Sequence, residues 1–481
     1  MNFMSWIIIS TVMCLSISSA DESKRERIHQ VENSLKLPFI IDGEKPPVTT
    51  LREQMKQFAV PGAAIAVIDN LELEWIRAYG VLEHGEPARV ENNTLFQAGS
   101  ISKPVTAWLT LMLVSEGSLK LDAPINTLLR TWKVPENDFT TKSPLLLRHL
   151  IIHQAGFAPG AYMLERGKTF PPLVELLQGK HHAPQIKVIN EPGTVFAYSN
   201  PAYAVLQQVL EDVSGMSLDE LAQRKLFKPL GMNRSTFAEP LPAEMLLTVA
   251  AGHLKQWLKV KNKALMIPGA PGGLWTTAHD LALFVQEIMK AYQGKSDRTL
   301  SQTLARQYVT PQVLNMGLGM YVTGQGDTLR FQYTGGTDGY VAYLTGFPSL
   351  GKAAVVLTNS SGGSSLYRKL IGALAPAYRW PNLPVERTTS AQTPRNLTRL
   401  VGRYCFDGAP DLVVTISIQD GLLSGQINNY PHFQLKYCQE AIWYIPKHLK
   451  EMEFHPPQHG LPAGIYYRTP GSLGNHLTKI E

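Results

Sequence analysis

Short apolar runs bracket residues 45–375, and longer helical patterns fill the middle. Ala63–Ile68 and Leu71–Tyr79, joined at Asp69-Asn70, predict two strands of a hairpin. Helical patterns dominate from Ser100 to Gln293: Val105–Leu113 predicts a buried helix, and Tyr203–Val213 and Leu218–Leu226 predict two more. Strand patterns return at Thr328–Tyr333, Tyr340–Thr345 and Ala353–Leu357. Strands at both ends with helices between them predict an α+β domain over 21–375, one antiparallel sheet backed by a helical part. Residues 376–396 scatter Pro376, Pro381, Pro384 and Pro394 among Thr, Ser and Gln, which reads as a linker. Beyond it, Leu412–Ile418 meets Leu422–Ile427 across Asp420-Gly421, a two-residue hairpin signal. Residues 397–481 therefore predict a small all-β domain, a barrel or a sandwich, in which Tyr430, Phe433, Trp443 and Tyr466 read as core.

The chain begins with an apolar segment, Met4–Ile17, that ends in Ser18-Ser19-Ala20 and is followed by Asp21-Glu22-Ser23. This predicts a signal peptide over residues 1–20, cut after Ala20, and an exported (periplasmic or secreted) protein. The segment falls short of the about 20 residues that cross a bilayer. The alternative is an uncleaved N-terminal membrane anchor. Removing the segment leaves Cys405 and Cys438, which are either paired in an oxidising compartment or two separate buried thiols.

Composition narrows the partners. With 481 residues, 44% of them hydrophobic and 17% charged, the chain has enough apolar material for a sizeable core. The net charge is +6, but the densest basic run (Lys255, Lys259, Lys261, Lys263) is loose and reads as a solvated face, which argues against nucleic acid. Association with an anionic cell envelope is compatible with that charge. No spacing suits a metal site: His149 and His153 have no third ligand nearby and read as core and capping residues on an apolar helix, so neither metal nor cofactor is expected.

Candidate chemistry lies in three short segments: Ser100-Ile101-Ser102-Lys103, Tyr198-Ser199-Asn200 and Tyr333-Thr334-Gly335-Gly336. A lysine three residues after a serine shares its helix face. It can take the serine proton if burial lowers its pKa. Tyr198 is a second candidate for moving that proton, Asn200 offers an amide to a substrate carbonyl, and the glycines let a backbone N–H approach an oxyanion. A second Ser-x-x-Lys, Ser349–Lys352, follows Pro348 and contains Gly351, so it reads as a turn.

These segments, in this order, resemble the penicillin-recognising serine hydrolases, specifically the class C β-lactamase-like branch with its DD-peptidases and esterases. Leu150–Phe157, Pro229–Met232 and Gly272–Thr277 extend the resemblance over about residues 45–375. It implies a β-lactamase/DD-peptidase-like fold with the site in the groove between sheet and helices. It also implies an acyl-enzyme on Ser100, proton transfer through Lys103 and Tyr198, an oxyanion held by the N–H groups of Ser100 and Gly336, and Asn200 donating to substrate and to Lys103. Tyr198 would act as a phenolate, its pKa lowered by the Lys103 ammonium, and would activate the deacylating water. The family carries Lys-Thr-Gly or His-x-Gly at the third segment, where this chain has Tyr333-Thr334-Gly335. A tyrosine offers one hydrogen bond and no charge, so carboxylate recognition weakens there. The expected partner is a small-molecule or peptide substrate, and the expected activity is that of an esterase or peptidase/amidase. The alternatives are a β-lactamase, a penicillin-binding or sensing protein that acylates without turnover, or an inactive binding module. Oligomeric state is not legible.

Overall fold

The computed structural model describes residues 21–481 apart from 37–38, 42–47, 163, 166–169, 255–256, 261–264, 267, 384, 388–393, 395, 407–408, 440, 446–449, 457–462 and 469–474. The segment expected to be a signal peptide lies outside the described residues. In chain order, the elements that position the site begin with a helix α1 (21–33), β1 (Phe39–Ile41), α2 (Leu51–Gln57), β2 (Gly62–Asp69), β3 (Glu72–Gly80) and β4 (Phe96–Gln97). Then come α3 (Ser102–Ser115), α4 (Leu147–Ile151), α5 (Asn200–Ser214), β5 (Trp275–Thr276) and α6 (Ala278–Tyr292). The domain closes with β6 (Tyr321–Thr323), β7 (Arg330–Thr337), β8 (Tyr340–Phe347), β9 (Lys352–Thr358) and α7 (Gly363–Ala377).

Strands β3-β2-β9-β8-β7-β6, in that spatial order, form a six-stranded antiparallel sheet. Its central strands are buried on both faces, because successive side chains point to opposite sides. On β2, Ala64, Ala66 and Ile68 join the larger core with α3 and α6, while Ala63, Ile65 and Val67 join a second core with α1, α2 and α7. The sheet thus carries helices on both faces. Helix α1 buries Ile28 and Val31 in that second core.

Two local features depart from expectation. The β2–β3 turn is Asn70-Leu71, both at positive φ, with Asp69 opposite Glu72. This is the two-residue geometry that suits the strand twist, shifted by one residue from Asp69-Asn70. Within 376–396, α7 runs on to Ala377 and a strand β10 (Val385–Arg387) pairs parallel with β1.

The C-terminal strands are β11 (Gly402–Phe406), β12 (Ala409–Gln419), β13 (Leu422–Ile427), β14 (Phe433–Gln434), β15 (Lys436–Gln439), β16 (Ile442–Ile445), β17 (Lys450–His455), β18 (Gly464–Arg468) and β19 (Asn475–Lys479). They form one nine-stranded sheet in the order β14-β13-β12-β11-β19-β18-β17-β16-β15. Its two edge strands, β14 and β15, are joined by Leu435 alone, so the sheet curls into a barrel rather than a sandwich. Leu423, Phe433, Trp443, Met452 and Ile465 fill its interior. Asp420-Gly421 makes the β12–β13 turn. Cys405 lies on β11 and Cys438, buried, on β15.

One side chain ties the sheet's end to the loop beyond β3. Asn359, fully buried after β9, accepts from the Gly62 N–H at 2.7 Å and donates to the Val81 and Leu82 carbonyls at 3.3 and 3.0 Å. Asn359→Ala takes the side-chain partner from the Gly62 N–H and the Val81 carbonyl, while the Leu82 carbonyl keeps the Ala251 N–H at 2.8 Å, and should destabilise the protein by roughly 3 kcal/mol. The check is a lower urea midpoint at unchanged slope.

Candidate active site

The strand β4 is buried and pairs with β5, so the chain enters the site on a fixed line. Ala98 donates to the Leu274 carbonyl at 2.8 Å, and residues Gly99–Ile101 make a single 3-10 turn before α3. Gly99 sits at φ +53°, and a Cβ there would come within 2.8–3.0 Å of the Gly336 backbone. A Cβ on Gly335 would lie 1.8 Å from the Ala98 carbonyl oxygen. Both glycines are therefore demanded by the close approach of β7 to the Ser100 turn. Gly335 and Gly336 lie inside β7, which runs four residues past the predicted Thr328–Tyr333. Ser102 fastens the turn from below: its Oγ donates to the Gly99 carbonyl at 2.7 Å and accepts from the Leu274 N–H at 2.9 Å. Ser100 itself caps no helix; the N-cap positions of the 3-10 turn and of α3 are Ala98 and Ile101.

Lys103 lies on α3, below Ser100, and is fully buried. Its Nζ is 3.2 Å from Ser100 Oγ and donates to the Pro271 carbonyl at 2.6 Å. The rest of its shell is aromatic, with the Tyr198 and Tyr203 ring centroids at 4.8 and 5.7 Å. No carboxylate pairs with it among the described residues. Loss of water alone pushes its pKa well below the lysine range. A neutral amine keeps one lone pair and two donors. With Pro271 taking a donor, the lone pair can accept the Ser100 proton.

Tyr198 donates to Ser100 Oγ at 2.7 Å. Its pKa is pushed up to about 12, first by crowding away from water, against the hydrogen bond to Ser100 and the neighbouring Tyr333 hydroxyl. The residue is 44% exposed, so this shift belongs to the hydroxyl end, which points inward. Burial thus drives the two groups in opposite directions, Lys103 down and Tyr198 up, which works against the expected phenolate and favours Tyr198 as the proton donor of the pair.

Asn200 opens α5 beside Tyr198, after the Ser199 cap. Among the described residues its Oδ1 is buried and unpartnered, and the bonds of Lys103 go to Ser100 and Pro271. The expected Asn200–Lys103 bond does not form. His149 and His153 do not share a helix face, because α4 ends at Ile151 and His153 turns into left-handed backbone at φ 60°.

Tyr333 is buried on β7, its ring 5.4 Å from that of Tyr321. Its hydroxyl makes no formed hydrogen bond among the described residues, yet lies close enough to Tyr198 for each to alter the other's ionisation. Burial, then Tyr198, Tyr321 and Tyr203, hold it protonated. Strand β6 pairs only with Arg330–Gln332, so β7 from Tyr333 to Thr337 has no strand on that edge among the described residues. The structure thus brings Ser100 together with Lys103 and Tyr198, and sets Tyr333 beside Tyr198 and Gly335 and Gly336 against the Ser100 turn, while Asn200 follows two residues after Tyr198. The roles of the Pro271 carbonyl, Ser102 and His153 escape sequence reading; Gly272–Thr277 is visible as a phrase, but nothing local shows that the carbonyl before it meets Lys103.

A family profile described as Beta-lactamase matches residues 48–377. Penicillin-binding protein 4 of Amycolatopsis lactamdurans is 29% identical over 371 residues, covering 73% of this chain and 94% of that protein. Unguisins hydrolase ungD of Aspergillus violaceofuscus is 25% identical, covering 77% of this chain and 76% of that one. The solved structure of SurE superposes with a TM-score of 0.63 at 22% identity, over 89% of this chain and 97% of that one. That span reaches past residue 377 into the barrel, so the likeness in fold includes both parts.

The buried amine fixes the sign of a pH effect. Between its lowered folded value and the ordinary 10.5, the unfolded chain binds the Lys103 proton and the folded chain does not. Stability therefore rises with pH across that window. Lys103→Met removes this term, so the difference in melting temperature, variant minus wild type, should shrink steadily from pH 6 to pH 10. Labelling of Ser100 by a fluorophosphonate should fall about a thousandfold in the same variant.

Proposed function

The chain belongs to the beta-lactamase family of serine hydrolases, and on that premise we propose that it cleaves amides or esters through an acyl-Ser100 intermediate, on substrates with no carboxylate beside the scissile bond. The observation that carries this reading is the contact of Ser100 Oγ with Lys103 Nζ and Tyr198 OH, at 3.2 and 2.7 Å. Ser100 Oγ attacks the carbonyl carbon as its proton passes to neutral Lys103. The backbone N–H groups of Ser100 and Gly336 receive the oxyanion. Tyr198 gives its proton to the leaving nitrogen or oxygen as the bond breaks, and Lys103 restores the Tyr198 proton. Lys103 is then neutral again and can deprotonate the water that attacks the acyl ester, which returns the proton to Ser100.

The substrate class rests on charge. Around Ser100 stand Tyr198, Tyr203, Tyr321 and Tyr333, all protonated, together with neutral His153 and neutral Lys103. A carboxylate placed at Tyr333 would leave water without gaining a cation. Relatives named for penicillin binding and for hydrolysis both fit the amide chemistry. The lack of a cation at Tyr333 among the described residues favours neutral amides and esters over β-lactams, whose carboxylate needs one. We also infer export, on the strength of the apolar Met4–Ile17 and the small residues that end it, with an N-terminal anchor as the competing outcome.

Intact mass after a fluorophosphonate should show one adduct that is absent from Ser100→Ala. A peptide substrate blocked as its C-terminal amide should then be cleaved with kcat/KM at least about tenfold above its free-carboxylate twin. Preference for the carboxylate would overturn the assignment of substrate class. An acyl-enzyme that accumulates without turnover would mark a sensor instead.

A further inference from the structure

We propose that His153 is the positioning residue that sets the Tyr198 hydroxyl over Ser100, an inference that rests on the reading of Ser100 as nucleophile. Both amides flanking Tyr198 hang on this one side chain and its backbone. The Ala197 N–H donates to the His153 carbonyl at 2.8 Å, and the Ser199 N–H donates to His153 Nδ1 at 3.2 Å. The imidazole is 1% exposed and lies against the Tyr198 ring, centroids 4.7 Å apart, with the Tyr203 ring at 5.3 Å. The phenol is therefore held from its backbone and from its ring face at once.

The chain takes trouble to place this residue. His153 follows α4 in left-handed backbone at φ 60°, a conformation that most residues with a Cβ avoid. That turn points both its carbonyl and Nδ1 at the 197–199 segment. Because Nδ1 accepts, the ring proton is on Nε2, which is buried and unpartnered among the described residues. Burial first, and then any positive charge on the nearby Lys103, push the imidazole's pKa down to about 3. The ring is thus a neutral acceptor at working pH and places no second cation beside the amine that must stay neutral. Ser199 completes the support by capping α5, its Oγ accepting from the Ala202 N–H at 3.0 Å.

The test is the second-order rate of fluorophosphonate labelling of Ser100 in the full chain, with thermal melts alongside. His153→Leu removes the acceptor and should slow labelling about a hundredfold, the scale of a misplacement near 1 Å. His153→Asn keeps an acceptor close to Nδ1 and tolerates left-handed backbone, so it should restore most of that rate. Tyr198→Phe should be slow, and adding His153→Leu to it should cost nothing more, because the histidine acts through that hydroxyl. The proposal is overturned if His153→Leu shifts the melt but not the rate per folded molecule, if Asn is no better than Leu, or if the leucine slows the Tyr198→Phe background as much as the wild type. Should His153→Leu fail to fold, the comparison of His153→Asn with wild type in both backgrounds decides the same point. Failure of the functional reading looks different: no Ser100 adduct on the wild type, which would overturn this proposal with it.

Discussion

A primary amine held away from water without a counter-ion cannot keep its proton at ordinary cost, and the groove is organised around that fact. Lys103 is fully buried on α3, faces two tyrosine rings, and meets one backbone carbonyl and one hydroxyl. Had an Asp or Glu stood beside it, the pair would have stabilised the ammonium and removed the base. The same dryness raises Tyr198. One environment thus pushes an amine down and a phenol up, and the two groups become base and acid without any charge being built into the site. Neutral His153 extends the condition outward, since a cationic ring there would oppose any proton arriving at Lys103.

Such an arrangement works only if the atoms cannot drift. The clearances recorded by Gly99 and Gly335 show how little room exists between the Ser100 turn and β7. Ser102 links the same turn to Leu274, next to the Pro271 carbonyl that Lys103 touches. Nucleophile, base and base-anchor therefore move as one unit with the buried strands β4 and β5. Tyr198 arrives from a different part of the chain, on the segment leading into α5, and needs its own support.

Much of this was legible in the sequence because it is local. The Ser100–Lys103 spacing is one helical turn, and the Val105–Leu113 helix follows from composition alone. The antiparallel sheet, the helical middle and the Asp420-Gly421 hairpin were legible for the same reason. What escaped depends on contacts distant in the chain. Pro271 is 168 residues from Lys103, and the direction of the Tyr198 shift depends on crowding that no spacing encodes. Helix α1 was missed because its surface is polar and only Ile28 and Val31 turn inward. His153 read as a core histidine, which its burial justifies, but its left-handed backbone and its two bonds to the Tyr198 segment appear only once the chain is folded. The second Ser-x-x-Lys was rightly set aside: Lys352 opens β9 and pairs with Asp69 at 2.8 Å.

The tyrosine at position 333 completes the electrostatic argument. A lysine there would bring a second amine into a pocket whose first amine is already short of water. Each cation would then lower the other's pKa, unless a substrate carboxylate entered with charge to offset them. A site with that pair is tuned by its ligand, and its resting state is strained until the ligand arrives. With Tyr333 the pocket has no such dependence. Its groups are neutral before binding and remain so when a neutral substrate enters, which leaves the charge that develops on the attacked carbonyl as the first to appear in the groove. On the proposed mechanism, low polarity then strengthens the hydrogen bonds that the backbone at Ser100 and Gly336 would offer to that charge. On that reading, the tyrosine proposed to weaken carboxylate recognition is, by the same physics, the one that lets Lys103 serve as a base in the empty site.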